Sequence, residues 1–359
     1  MAFIYSIKDT YRAAVEAATG GKNTVLYDDK GNPSVMVVIP KFKISDVITG
    51  GPTTTHPAFI VNGVEKDYIY IGKYQACVND GRAYSLPGQD PASYVNFDQA
   101  LNYCYAKGQG WHLMSNAEWA AIALWCKKNG YMPRGNNNFG SDISASYEKG
   151  RCTYVYNGGV GRVATGSGPC AWSHDGTPDG IYDLNGNVWE WNSGMRLKNG
   201  EIQVIKDNDA AILNTDHSDT SSLWKAILGT DGSFVAPGTG GTLKYDFTTT
   251  PTAGTGSIEL NNTIANAQPD DNAYGYKTFE TLTAHTGITV PMIMKTLGLF
   301  PIDSSNGADG FWFRNNLERL PIKGGSFDYG AGAGLFALFL GSNRSDSFCT
   351  VGFRAAYVS

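Results

Sequence analysis

Apolar and polar positions along the chain follow two rhythms. In the first segment, Ala13, Ala14, Ala17 and Ala18 predict a helix capped by Ser6, with Asp9 in its first turn, that runs to Thr19. Gly20-Gly21 ends it. TVLYDD, KGNP and SVMVVIP then read as strand, turn and strand. Tyr68-Ile69-Tyr70-Ile71 predicts another strand, Phe97 to Lys107 a helix, and Trp111 to Met114 a short apolar link. Ser115-Asn116-Ala117-Glu118 is a capping box, and Trp119, Ile122, Ala123 and Cys126 form one helical face behind it. Past residue 193 the periodicity fades. TDGSFVAPGTGGTLKYDFTTTPTAGTG, from Thr230 to Gly256, predicts loops and short hairpins. From 311 the chain turns apolar and glycine-rich again.

This pattern predicts four stretches. Residues 1–45 form a helix-hairpin unit, read either as a docking module or as an extension packed on the main domain. Residues 46–192 form a globular stretch, 193–310 a loop-rich insertion, and 311–359 a return to the core. The longest apolar run, Ala333 to Leu340, is far too short to cross a membrane. The start, MAFIYSIKDTYRAAVEAATGG, lacks a basic region followed by an apolar one, so no secretory signal is expected.

Composition narrows the function. With 44 Gly in 359 residues and 17% charged, the chain reads as folded and loop-rich. A net charge of −5 argues against nucleic acid as the partner, because phosphate binding needs clustered Lys and Arg. Cys77, Cys104, Cys126, Cys152, Cys170 and Cys349 contain no CxxC pair, so no zinc site is expected, and free thiols are preferred over disulfides.

The most specific motif runs from Gly180 to Trp191, GIYDLNGNVWEW. It resembles the GLYDMxGNVWEW signature of formylglycine-generating-enzyme-like domains, a branch of the C-type lectin-like fold. Tyr70 to Gln75 resembles the family's YIGKYEVT strand, and Trp111 to Trp119 its RLPTEAEWE loop and helix. Lys323 to Phe327 resembles RGGSW, and Gly352-Phe353-Arg354 resembles GFR. The resemblance covers 46–192 and 311–359. It implies an α+β, C-type lectin-like fold of the formylglycine-generating-enzyme type, with an N-terminal extension and an insertion. It also implies calcium held by Asp183, the carbonyls of Gly186 and Val188, and Glu190, since hard oxygen donors on a turn suit that ion. The other reading of the same turn is that Asp183 and Glu190 accept hydrogen bonds from loop amides, with Trp189 and Trp191 in the core. Oxidase chemistry in that family needs two nearby C-terminal thiols to hold copper. Here Cys349 stands alone between Gly324 and Gly352, and Asp328 and Tyr329 follow the GGSF segment, so no catalytic residues are expected.

Residues 324–354 resemble the variable region of proteins diversified by retroelements, whose template RNA is copied with errors at adenines. The frame GGxxxxGAxAGLFALxLxxxRSxSxxxVGFR is intact. Its variable positions fall on Ser326, Phe327, Asp328, Tyr329, Gly332, Phe339, Gly341, Ser342, Asp346, Phe348, Cys349 and Thr350. An AAC codon altered at its adenines cannot reach Lys, Glu, Gln, Met or Trp, and none of these occurs from Gly324 to Thr350. Alternation would let Leu335, Phe336, Leu338, Leu340, Val351 and Phe353 fill the core while the variable side chains face solvent. The expectation is therefore a ligand- and receptor-binding display protein. The aromatic side chains of Phe327, Tyr329, Phe339 and Phe348 are its expected anchors. A phage tail or other virion part, made in the cytoplasm and binding a bacterial surface protein or glycan, fits best, as a homo-oligomer or within a larger virion assembly. The alternatives are a divergent enzyme of the same family and a calcium-dependent lectin of fixed specificity.

Overall fold

The computed structural model describes residues 9–359. The expected Ser6 cap lies outside them. Asp9 is the cap instead: its carboxylate accepts from Arg12 N at 2.9 Å and starts the helix Thr10–Thr19, which Gly20 closes in the left-handed region. The hairpin strands Asn23–Tyr27 and Pro33–Pro40 follow as expected. They do not form a separate unit. Met36 to Pro40 pair with Gly72 to Tyr68, so the N-terminal segment extends the main sheet.

That sheet has five antiparallel strands, in the order Asn23–Tyr27, Pro33–Pro40, Tyr68–Gly72, Ala355–Tyr357 and Trp111–Leu113. Trp111–Leu113 is thus a strand, where the sequence read only a link. Two helices pack against the fold. Phe97–Tyr105 is capped by Asn96 with Gln99, and Asn116–Lys128 is capped by Ser115 with Glu118 as its motif predicts. Ten residues of the second helix are buried, on more than one face, so its pattern is that of a core helix.

The second sheet is large and curled. Its spine runs Ala273–Thr278, Gly310–Phe313, Gly334–Ser342, Glu318–Gly324, Met195–Lys198, Glu201–Ile205 and Lys244–Phe247. The insertion therefore adds strands to the sheet that the C-terminal segment builds. Residues 311–359 pack on 46–192: Val351–Phe353 runs parallel to Trp189–Trp191, and Ala355–Tyr357 pairs with both Tyr68–Gly72 and Trp111–Leu113. No described helix is long and apolar enough to cross a membrane. All six cysteines are free thiols.

Candidate functional site

The strand Gly334–Ser342 lies between Gly310–Phe313 and Glu318–Gly324. Parallel pairing sets Phe339 beside Trp312, and antiparallel pairing sets Trp312 beside Tyr276 on Ala273–Thr278. Side chains at paired positions share a face. The result is an aromatic row across three strands, with ring centroids 4.7 Å apart for Tyr276–Trp312 and 6.4 Å for Trp312–Phe339. Tyr329 stands edge-on to two rings of the scaffold, 4.6 Å from Trp312 and 4.7 Å from Trp189. Burial there pushes the Tyr329 hydroxyl pKa well up, so the ring is neutral at every physiological pH. A cleft of about 280 Å³ opens on this row, lined by Tyr274, Trp312, Phe313, Arg314, Phe339 and Gly341. Arg314 donates to the carbonyls of Gly341 and Asp271, which fixes its guanidinium at the cleft wall.

The expected variable positions divide into two groups. Asp328 and Phe348 are exposed, and Tyr329, Gly332, Phe339, Asp346, Cys349 and Thr350 are partly so. A Cβ on Gly332 would lie 3.3 Å from the Trp312 ring, so a side chain there would add to the aromatic cluster. Four positions are buried, and the expectation that they face solvent is corrected. Phe327 is 0% exposed, enclosed by Phe139 and Tyr156 with centroids 6.2 and 5.3 Å away. Ser326 turns inward and donates to Asp328 Oδ1 at 2.6 Å. Ser342 is buried where the strand pairs with Leu320. Gly341 lies under the Phe339 ring, 2.8 Å from where its Cβ would stand, and its carbonyl accepts from both Arg314 and Arg319. Alternation misleads here because Gly334–Ser342 is a central strand covered on both faces. Leu335, Phe336, Ala337, Leu338 and Leu340 are all buried, and Phe339 alone of its apolar side chains is partly open.

Sequence reasoning missed the scaffold half of this surface. Tyr274 and Tyr276 are each 37% exposed and come from the insertion. Their signal was the alternation Ala-Tyr-Gly-Tyr, buried and exposed in turn. Gly275 between them leaves room for the Phe313 ring, which a Cβ would approach to 2.0 Å. Phe348 has its own exposed neighbour: its carbonyl accepts from Tyr94 N at 2.9 Å, and Tyr94 is 59% exposed.

The 183–190 loop leads into the strand Trp189–Trp191. Asp183, Gly186 and Asn187 all adopt left-handed backbone, and a Cβ on Gly186 would lie 2.1 Å from Asn136 O, so that position requires glycine. The carbonyls of Asp183, Gly186 and Val188 and Glu190 Oε1 converge, as a calcium site would need, but on the side-chain nitrogen of Gln75, at 3.1, 3.3, 3.0 and 3.1 Å. Arg354 neutralises the Glu190 carboxylate through two bonds of 2.9 and 2.7 Å. The Asp183 carboxylate plays no part in this nest. One oxygen accepts from Gly166 N at 2.9 Å and Oδ1 has no partner. Burial pushes its pKa up to about 6. The residues present do not fit the expected calcium: the central position is filled by an amide and the facing charge is already balanced.

A family model, the sulfatase-modifying factor enzyme 1-like domain, matches residues 11–220. The match includes the N-terminal extension and the first part of the insertion, outside the 46–192 stretch that the motifs covered. No curated protein matches. Among solved structures the chain is similar to Treponema denticola variable protein 1, at 12% identity and a TM-score of 0.33, covering 93% of this chain and 98% of that one. It is also similar to PvdO from Pseudomonas aeruginosa, at 13% identity and a TM-score of 0.32, covering 94% and 98%. The P3c variant of the Major Tropism Determinant gives 11% identity and a TM-score of 0.31, covering 93% of this chain and 71% of that one.

Proposed function

We propose, from the premise that the chain belongs to the sulfatase-modifying factor enzyme 1-like domain family, that its C-type lectin-like fold displays a ligand-binding face and does no chemistry. The row Tyr276–Trp312–Phe339, with Tyr329 standing on it, carries this reading. In it, two side chains from variable positions complete a surface that fixed scaffold residues begin. Aromatic rings of this kind give large contact area at small entropic cost, and they are typical anchors of a binding face. The diversified segment is 324–354. Adenine-directed change there would alter the open positions, while Leu338, Phe353 and the other buried frame residues keep the fold. The ligand is a bacterial surface protein or glycan, and the setting is a phage tail or similar host-recognition part.

The lone Cys349 supports the absence of oxidase chemistry, because copper of that kind needs paired thiolates. Measured conversion of a sulfatase-type cysteine peptide to formylglycine would overturn the reading. The direct test is binding to arrayed bacterial surface glycans and proteins by the native chain and by Tyr329→Ala and Phe339→Ala. Each loss of an anchor lowers affinity about tenfold or more, about 1.4 kcal/mol. A neighbouring DNA repeat of the 324–354 coding segment, differing at adenines, is the second expected observation. Unchanged affinity in both variants, for a ligand the native chain binds, would refute the display face.

A further inference from the structure

We propose that the side-chain amide of Gln75, with Arg354, stands in for a cation in the 183–190 loop, so that this fold is built to hold its display strands without metal. The orientation of the amide follows from the backbone. Val163 N donates to Asn187 Oδ1 at 2.9 Å, which fixes the Asn187 nitrogen toward Val163 O at 3.1 Å and Gln75 Oε1 at 2.9 Å. Gln75 must accept there, so its nitrogen faces the loop. Flipping it would set two donors against each other.

That nitrogen has two protons and four oxygen neighbours within 3.3 Å. A nest with more acceptors than protons is the donor set of a small cation. The charge is settled otherwise. Glu190 is the one carboxylate in the nest, and Arg354 is paired with it while also donating to Gly72 O at 2.8 Å and Tyr182 O at 2.9 Å. Gln75, Glu190 and Arg354 are all 0% exposed. A divalent ion added here would bring two positive charges beside a buried guanidinium whose counter-charge is already taken. The amide instead ties three carbonyls and one carboxylate from a single point. It thereby fixes the start of Trp189–Trp191, on which Tyr329 rests. The inference is independent of what the display face binds.

The test uses the full chain and needs no ligand. Its thermal midpoint is read in calcium and in chelator, and terbium, a luminescent calcium mimic, is added to look for emission sensitised by Trp189 and Trp191. The native chain is expected to melt at one midpoint in both buffers and to give no terbium emission. A midpoint that falls in chelator, or emission from the native chain, overturns the proposal. Gln75→Asp shortens the side chain by one carbon, opens the centre and adds a carboxylate. This variant is expected to bind terbium and to gain a higher midpoint in calcium. Indifference to calcium in a folded Gln75→Asp protein overturns the assignment of the four oxygens as a cation nest. Gln75→Met keeps the volume and removes both donors, and it is expected to lower the midpoint equally in both buffers. A Gln75→Met midpoint equal to the native one overturns the amide's role.

Discussion

The two ends of the 324–354 segment carry phenylalanines that read alike and sit in opposite environments. Phe327, just after the paired glycines, is wholly enclosed by Phe139 and Tyr156. Phe348, in the turn before Val351, is 51% exposed beside Tyr94. The difference is topological. Phe327 O accepts from Phe139 N at 2.7 Å and Gly330 N donates to Asn137 O, so the 326–330 turn is clasped by the 136–145 loop. The 343–350 turn is held chiefly along its edges, by Arg344 to Glu318 and Asp98 and by Thr350 O to Trp189 N, with its tip open. A position can therefore match a variable place in the sequence frame and still be part of the core, where packing restricts what it can hold.

The sharpest way to break this contrast is to truncate both rings. Phe327→Ala should cost about 3–5 kcal/mol of stability, as for a fully buried aromatic, while Phe348→Ala should stay within about 0.5 kcal/mol. Equal melting midpoints for the two variants would erase the distinction. Next in size are the frame positions Leu338→Ala and Phe353→Ala, both buried, with an expected loss of about 2–5 kcal/mol in denaturant titrations. A smaller effect is expected on binding alone. Tyr276→Ala in the scaffold half of the aromatic row should weaken ligand binding by about 1 kcal/mol or more and leave the unfolding midpoint within a few degrees. If only variable positions matter, that variant binds normally and the row is not one surface.

The smallest expected difference concerns pH. Burial lowers the pKa of His56, His174 and His217 to about 4 each. As pH falls from about 6.5 toward 4, these histidines take up protons in the unfolded chain but not in the folded one, so their contribution to stability is lost in that window, against the opposite contribution of the buried Asp183 carboxyl. The 324–354 segment contains no histidine. Variants that differ only there should share one acid limb in stability against pH, and a limb that moves with the open positions would show that they couple to the core.

What was legible in the sequence was local. The Ser115–Glu118 cap, the hairpin and the GIYDLNGNVWEW turn each hold their information within a few residues. The α+β class came from the family resemblance that the motifs carry. The rest depended on distant partners. Nothing near Phe327 signals that Phe139 and Tyr156 close over it, and nothing near Asp183 signals that an amide from Gln75 fills the centre of its loop. Half of the aromatic surface stayed hidden because Tyr274 and Tyr276 lie in a stretch whose periodicity looked weak, and only the strand register brings them beside Phe339.

The pairing of Ala355–Tyr357 with Tyr68–Gly72 and Trp111–Leu113 has a consequence for kinetics. That pairing joins residue 356 to residue 71, a contact whose loop-closure entropy must be overcome before the five-stranded sheet exists. The 324–354 segment lies within the loop that this contact closes. Its open side chains add no strand and remove none, so changes at those positions leave that closure as it is. Chains altered only at those positions share that closure and are expected to fold on nearly the same clock.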